Sequence, residues 1–350
     1  MNIDKNVIKN IYDRLQDGLS HDVFTARLMY FLTEDEEHIW KLSDMLYNEG
    51  NYTHKIEELI ALKKSGRKII FYGAGTRGRR CKVFSSRHGL HADVFCDKSL
   101  NKQKNGFLDL PVITPNELTT MYGSSIVVIT ASPVYADEIK HDLRKLGFTS
   151  NIYDFFSDDR KWSYFEYDFL QPVENEVYVD CGVLDGDTIK EFINFSNGKY
   201  KKIFGFEPDT KSYRRTLDNL HGYERVQVYN KGVWSEETEL LFTELGDGGS
   251  NINADGTVKI PVTMIDKMVG DDVVTLIKMD IEGAELEALK GAAKTIKRCK
   301  PRCAISIYHK PEDIIELPFY LQSLVPEYKF YLRQQSVLGN AETVLYALVE

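Results

Sequence analysis

The chain has 350 residues, 43% hydrophobic and 28% charged, a composition typical of soluble globular proteins and long enough for more than one core. A formal net charge of −9 and a pI near 5.5 provide no global positive field for a phosphate backbone, so nucleic acid is not an expected partner. The start, MNIDKNVIKN, lacks the apolar core of a signal peptide, and no later apolar run is long enough to span a bilayer, so a cytoplasmic protein is expected.

Residues 1–62 read as a helical N-terminal segment. Val23, Phe24, Arg27, Leu28, Phe31 and Leu32 recur at helical spacing, and Thr33 to Glu36 have the makings of a capping box for a following helix. Nothing in this segment carries obvious chemistry, so it is expected to pack against the domain that follows.

From Arg67 the texture changes. KIIFYGAGTRGRR is a strand running into Gly73, Gly75 and Gly78 in GxGxxG spacing, and Asp97 closes a later strand about where a ribose-binding acid sits in dinucleotide folds. Further strands near Pro111 to Ile113, Ile126 to Thr130 and Tyr153, with a helix over Tyr135 to Leu146, make residues 63–158 a small Rossmann-like domain. Arg77, Arg79 and Arg80 beside the loop suit a phosphate-bearing ligand, and a second nucleotide site is expected there. The alternative is a degenerate nucleotide fold kept for assembly. Trp162 to Leu170 is an aromatic stripe at helical spacing, expected to be core.

Residues 159–350 alternate strand and helix, the pattern of a doubly wound, mostly parallel sheet. EVYVDCGVLDGDT, Glu176 to Thr188, is a strand, a glycine loop and a helix start, with Gly182 and Gly186 permitting the turn and Thr188 available as a cap. The acids Asp180 and Asp187 would repel a pyrophosphate. A ligand with a sulfonium, an amino group and ribose hydroxyls fits better, and S-adenosylmethionine is that ligand. The next strand ends in Glu207 and Pro208, where a carboxylate can accept from both ribose hydroxyls. Asn230 ends the third strand, to bond adenine or to form a turn. Leu245 to Gly256 is either a hairpin loop or a mobile substrate loop. VVTLIKMDIEGAELEALKGA then puts Asp280 and Glu282 at a strand's carboxyl edge, and RCAISIYHKPED does the same for His309, Lys310 and Asp313. YKFYLRQQS and ETVLYALVE read as a closing antiparallel hairpin.

VYVDCGVLDGDT, FGFEPD, LIKMDIEGAELEALKGA and ISIYHKPEDI, in this order and spacing, resemble the FkbM-family class I methyltransferases over about residues 160–350. The resemblance implies a seven-stranded sheet with an antiparallel C-terminal hairpin and S-adenosylmethionine-dependent methyl transfer to oxygen, often on sugars or small secondary metabolites. It matches Gly182 and Gly186 to the cofactor loop, Glu207 to the ribose acid, and Asp280 to Glu285 to the DxEGxE block. Val183 departs from the family's usual small residue. Residues 67–157 resemble the small Rossmann-type domain attached to many polysaccharide-biosynthesis enzymes.

An alcohol acceptor must lose its proton as it attacks, and His309 is the natural base by intrinsic pKa, with Asp280 or Glu282 orienting it or replacing it. A divalent metal at Asp280, Glu282 and His309 is compatible with these residue types but not demanded by their spacing. The rival readings are a nicotinamide-dependent sugar-nucleotide oxidoreductase built on Gly73 to Gly78 and a non-catalytic nucleotide-binding module. The oxidoreductase lacks a Tyr-x-x-x-Lys or comparable hydride-transfer set. The acceptor's identity and any homo-oligomer stay open at this point. The five cysteines, Cys81, Cys96, Cys181, Cys299 and Cys303, show no paired framework and read as reduced thiols.

Overall fold

The computed structural model describes residues 4–46, 52–131, 133–148, 151–156, 163–246, 249–336, 338–339 and 342–349. The chain forms two units, Met1–His38 with Trp162–Ser336 and Asn340–Glu350 in the first, and Ile39–Lys161 with Val337–Gly339 in the second. Among the described residues no helix is long and apolar enough to cross a membrane.

The first unit opens with α1 (Lys5–Tyr12) and α2 (Gly18–Thr33), whose N-termini are capped by Asp4 and Asp17 through backbone N–H groups of Asn6 and Ser20. The expected 62-residue helical segment is therefore divided, because the two halves bury their apolar faces in different cores. Residues up to His38 belong with the large sheet, where Ser20 Oγ accepts from Leu332 N at 2.9 Å and Leu15 bridges to Phe330. Thr33 is the last residue of α2, and Asp35 Oδ1 accepts from Glu37 N at 2.9 Å at the start of the next helix.

The second unit follows with α3 (Glu37–Leu46), α4 (Tyr52–Lys64), β1 (Ile69–Tyr72), α5 (Thr76–Arg87), β2 (Val94–Cys96), α6 (Leu100–Asn105), β3 (Val112–Ile113), α7 (Pro115–Met121), β4 (Ile126–Ile129), α8 (Pro133–Lys145) and β5 (Ile152–Asp154). Its five strands are parallel in the order β3-β2-β1-β4-β5, with β1 and β4 wholly buried. Trp40, Ile56 and Leu59 from the first two helices pack into the core with Phe71, Phe84, Phe95 and Phe155.

The first unit resumes with β6 (Glu176–Cys181), α9 (Asp187–Phe195), β7 (Tyr200–Phe206), α10 (Thr210–Asn219), β8 (Val226–Tyr229), β9 (Gly232–Val233), β10 (Thr238–Thr243), β11 (Asn251–Ile252), β12 (Val258–Thr263), α11 (Ile265–Val269), β13 (Leu276–Met279), α12 (Glu285–Lys290), α13 (Ala293–Cys299), β14 (Arg302–Ser306), α14 (Asp313–Leu324), β15 (Lys329–Gln334) and β16 (Thr343–Leu348). Seven strands run in the order β15-β16-β14-β13-β6-β7-β8, parallel except for the antiparallel pairings of β16 with β14 and β15. Sheet order reverses beside β6, which opens a crevice at the strands' carboxyl ends. At the opposite end Arg302 and the buried Glu176 pair at 2.6 Å, tying β14 to β6 across β13.

One sequence reading changes. Residues 163–170 are turns and irregular chain rather than helix, although Tyr164, Phe165 and Leu170 are core as expected, and Phe169 stacks on Tyr331 at 4.0 Å. Trp162 lies outside the described residues. Leu245 to Gly256 carries β11, which pairs with β10 in a separate four-stranded sheet, β11-β10-β12-β9. Residues 247–248 of that stretch lie outside the described residues.

Candidate functional site

The carboxyl ends of β6, β7, β13 and β14 bring most of the expected site residues to one edge of the sheet. Gly182 follows β6 with φ +83°, and a Cβ there would lie 2.0 Å from the carbonyl oxygen of Asp280. Only glycine lets the ends of β6 and β13 approach this closely. Gly186, φ +89°, ends the loop as the N-cap of α9, with Asp187 and Thr188 in its first turn. Thr188 caps no backbone group; its hydroxyl donates to Asp180 Oδ2.

Asp180 itself is fully buried, and its partner is a residue the sequence reading did not single out. Lys278, 2% exposed in the middle of β13, places Nζ 3.2 Å from Asp180 Oδ1 and donates to the Gly182 carbonyl at 2.8 Å. Burial pulls the Lys278 pKa down, but Asp180 and Asp280 overcome it and raise the pKa, so the ammonium stays charged. The signal was a lysine inside LIKM, an otherwise apolar buried strand.

Glu207 is 6% exposed at the end of β7. Its Oε2 accepts from Leu184 N and its Oε1 from Asp209 N, both at 2.8 Å. Burial pushes its carboxyl up to about 7, against the pull of those two N–H donors. Pro208 directs the chain into α10, which Asp209 caps through Lys211 N and Ser212 N. Asn230 Nδ2 donates to the carbonyls of Glu207 and Pro208 at 2.9 and 3.0 Å, so its amide braces the end of β7.

On the neighbouring strands Asp280, Glu282, Glu285 and His309 converge. His309 Nδ1 lies 2.9 Å from Glu285 Oε1, and Nε2 lies 3.5 Å from both Asp280 Oδ1 and Glu282 Oε1. Asp280 also accepts from the phenols of Tyr164, at 3.0 Å, and Tyr308, at 3.2 Å. Burial lowers the His309 pKa, but the surrounding carboxylates of Glu282, Glu285 and Asp280 raise it to about 11. While it holds both ring protons the imidazole has no lone pair to accept another, so action as a base requires it to give one up first. Glu282 sits at φ +55° in the tight DIEG turn, with its side chain about a third exposed. Nearby Asp313 is raised to about 7 by burial and by Glu285. From α2, Arg27 is lowered to about 9 by its burial, while Tyr308 and Asp313 favour its charge. Tyr164, Tyr308 and Arg27 were not picked out as site residues, because their roles depend on packing between distant segments, while Glu285 was noted only as the end of the DxEGxE block.

The second unit's glycine loop is tight. A Cβ on Gly78 would lie 2.0 Å from the Gly73 carbonyl oxygen, whereas Gly75 has open space around it. Asp97 Oδ2 accepts from Ala74 N at 2.8 Å and lies 3.4 Å from Lys102 Nζ, and its Oδ1 accepts from Ser99 N. Those oxygens brace the loop. Arg77 lies over the ring of Phe156 at 4.8 Å.

Residues 180–331 match the family model of the methyltransferase FkbM domain. The 2-O-methyltransferase NoeI of Sinorhizobium fredii (strain NBRC 101917 / NGR234) is 21% identical over 148 residues, covering 35% of this chain and 60% of that protein. The chain thus spans about 60% of the length of this curated relative. The crystal structure of methyltransferase FkbM from Methylobacillus flagellatus KT matches with a TM-score of 0.51 at 20% identity, covering 94% of this chain and 99% of that one, a likeness of fold.

Proposed function

We propose that this chain, which belongs to the FkbM family of class I methyltransferases, uses S-adenosylmethionine to methylate a hydroxyl oxygen of a sugar, glycan or small metabolite in the cytoplasm. The observation that carries the cofactor reading is Glu207. Each of its oxygens accepts one backbone N–H and keeps one acceptor position, so the pair matches two adjacent ribose hydroxyls. The Gly182 to Gly186 loop beside it supplies close backbone approach, and the partly exposed Asp280 carboxylate at the same sheet edge suits a cationic donor. When bound, S-adenosylmethionine supplies an electrophilic methyl carbon.

The chain's own residues then hold the acceptor and manage its proton. Asp280 is fixed by two phenols, and Glu282, closer to solvent, is the carboxylate left to take the hydroxyl proton. His309 acts as a positioning residue, its Nε2 facing both carboxylates at 3.5 Å. The NoeI relative is a 2-O-methyltransferase, which supports oxygen as the atom methylated here.

Calorimetry with S-adenosylhomocysteine on the full chain tests this reading. One site per chain is expected, with affinity falling at least about tenfold in Glu207→Gln, the loss of a charge-assisted bond. Absence of binding by the wild type, or undiminished binding by the variant, refutes it. A panel of sugars and polyols, scored by mass spectrometry for a gained methyl group, then identifies the acceptor.

A further inference from the structure

We infer that Asp280, Glu285 and His309 form a binding site for a divalent cation. The three residues come from three places, the end of β13, the start of α12 and the segment after β14. One ligand atom from each lies within 4.8 Å of the other two.

Acidic clusters alone are common, but this one contains two orphaned atoms. His309 Nε2 and Glu285 Oε2 are both buried with no hydrogen-bond partner, and the His309 side chain is only 8% exposed. Nε2 faces Asp280 Oδ1 and Glu282 Oε1 at 3.5 Å each, without hydrogen-bond geometry to either. Buried polar atoms are rarely left unmatched, and two on adjoining residues mark a place for a group that would satisfy both. The other ring nitrogen is already committed. Nδ1 meets Glu285 Oε1 at 2.9 Å, and the same oxygen accepts from Ile281 N at 3.0 Å. A carboxylate on Nδ1 orients an imidazole with Nε2 toward the site, the second-shell arrangement seen on metal-bound histidines, and the incoming ion takes the place of the Nε2 proton.

One imidazole and two carboxylates, with no thiolate, suit Mn²⁺ or a similar first-row divalent ion. Three protein ligands leave coordination positions for an acceptor oxygen. A bound hydroxyl would pass its proton to Glu282, which lies beside the site and outside the proposed ligand set. What the ion does rests on the methyl-transfer reading; where it binds does not.

The full chain, stripped with chelator and dialysed, is titrated with MnCl2 while free Mn²⁺ is followed by electron paramagnetic resonance. One ion per chain is expected, with affinity at least tenfold weaker in His309→Gln and in Asp280→Asn. In the wild type, substoichiometric Mn²⁺ should broaden the imidazole signal that is missing from His309→Gln ahead of those of the other seven histidines. Failure of the wild type to take up stoichiometric Mn²⁺, or wild-type affinity in both variants, overturns the site. Calorimetry with S-adenosylhomocysteine on the same stripped chain separates the two readings. Binding there without Mn²⁺ uptake overturns the ion alone, whereas Mn²⁺ uptake without S-adenosylhomocysteine binding overturns the methyl-transfer reading and leaves the ion site standing.

Discussion

Replacing Lys278 by methionine keeps the length and apolar stem of the side chain while deleting its ammonium. In the folded protein that ammonium is the ion-pair partner of Asp180, 3.2 Å away, where the two side chains are 2% and 0% exposed. It also donates to the Gly182 carbonyl at 2.8 Å. Removing one member of such a buried pair leaves the other charge uncompensated, which costs about 3–5 kcal/mol. Set against a typical domain stability of about 5–15 kcal/mol, that loss is large enough to read directly in urea unfolding followed by circular dichroism. The double variant Lys278→Met with Asp180→Asn removes the orphaned charge and keeps a side chain able to bond Thr188. It should recover about half of the loss or more, a coupling visible in a double-mutant cycle. Because Gly182 lies in the proposed cofactor loop, the single variant should also bind S-adenosylhomocysteine more weakly than the double variant. If Lys278→Met unfolds within 1 kcal/mol of the wild type by urea midpoint, the cutoff for an ordinary exposed pair, about 0–1 kcal/mol, applies and the buried-pair argument fails.

Glu207 makes stability depend on pH. Its folded carboxyl is raised from 4.5 to about 7, so the native state holds the proton more tightly, and stability should fall by about 3 kcal/mol as pH rises through that window; a Glu207→Gln variant whose pH slope matches the wild type contradicts this. S-adenosylhomocysteine affinity should rise as pH passes 7, because the ionised carboxylate is the better acceptor for ribose hydroxyls, and pH-independent calorimetric binding counts against Glu207 as the ribose acid. Gly182→Ala should destabilise by more than about 2 kcal/mol, since its Cβ would lie 2.0 Å from a backbone carbonyl at a φ of +83° that alanine avoids, and a thermal melt within a degree of the wild type would show that the loop relaxes. Deleting residues 1–38 should uncover β15, where Ser20 meets Leu332 and Asp17 meets Arg333, and drive self-association on size-exclusion chromatography, while a monomer of unchanged thermal stability would show that α1 and α2 are dispensable there.

What could be read from the sequence was what depends on short stretches of chain. The strand, loop and helix of Glu176 to Thr188 declare themselves through β-prone residues, two glycines and a helical pattern within thirteen positions, and Glu207, Asp280 and His309 each close an apolar run. Strand order then brings them together, because β13 lies between β6 and β14 in the sheet. What stayed hidden depends on contacts across long separations. Ser20 and Leu332 are 312 positions apart, so no local pattern could assign α2 to the edge strand of the large sheet or bring Arg27 into the field of Tyr308 and Asp313. Lys278 reads as an interruption in LIKM until the Asp180 carboxylate on the neighbouring strand is seen at the same register, Lys278 opposite Asp180. The same limit explains His309. Intrinsic pKa makes a lone histidine the natural base, but its proton affinity is set by Asp280, Glu282 and Glu285, which reach it from the turn between β13 and α12. A sequence names the titrating groups, while their proton affinities belong to the fold, so the part of the mechanism that moves a proton is where local reading and structure part company.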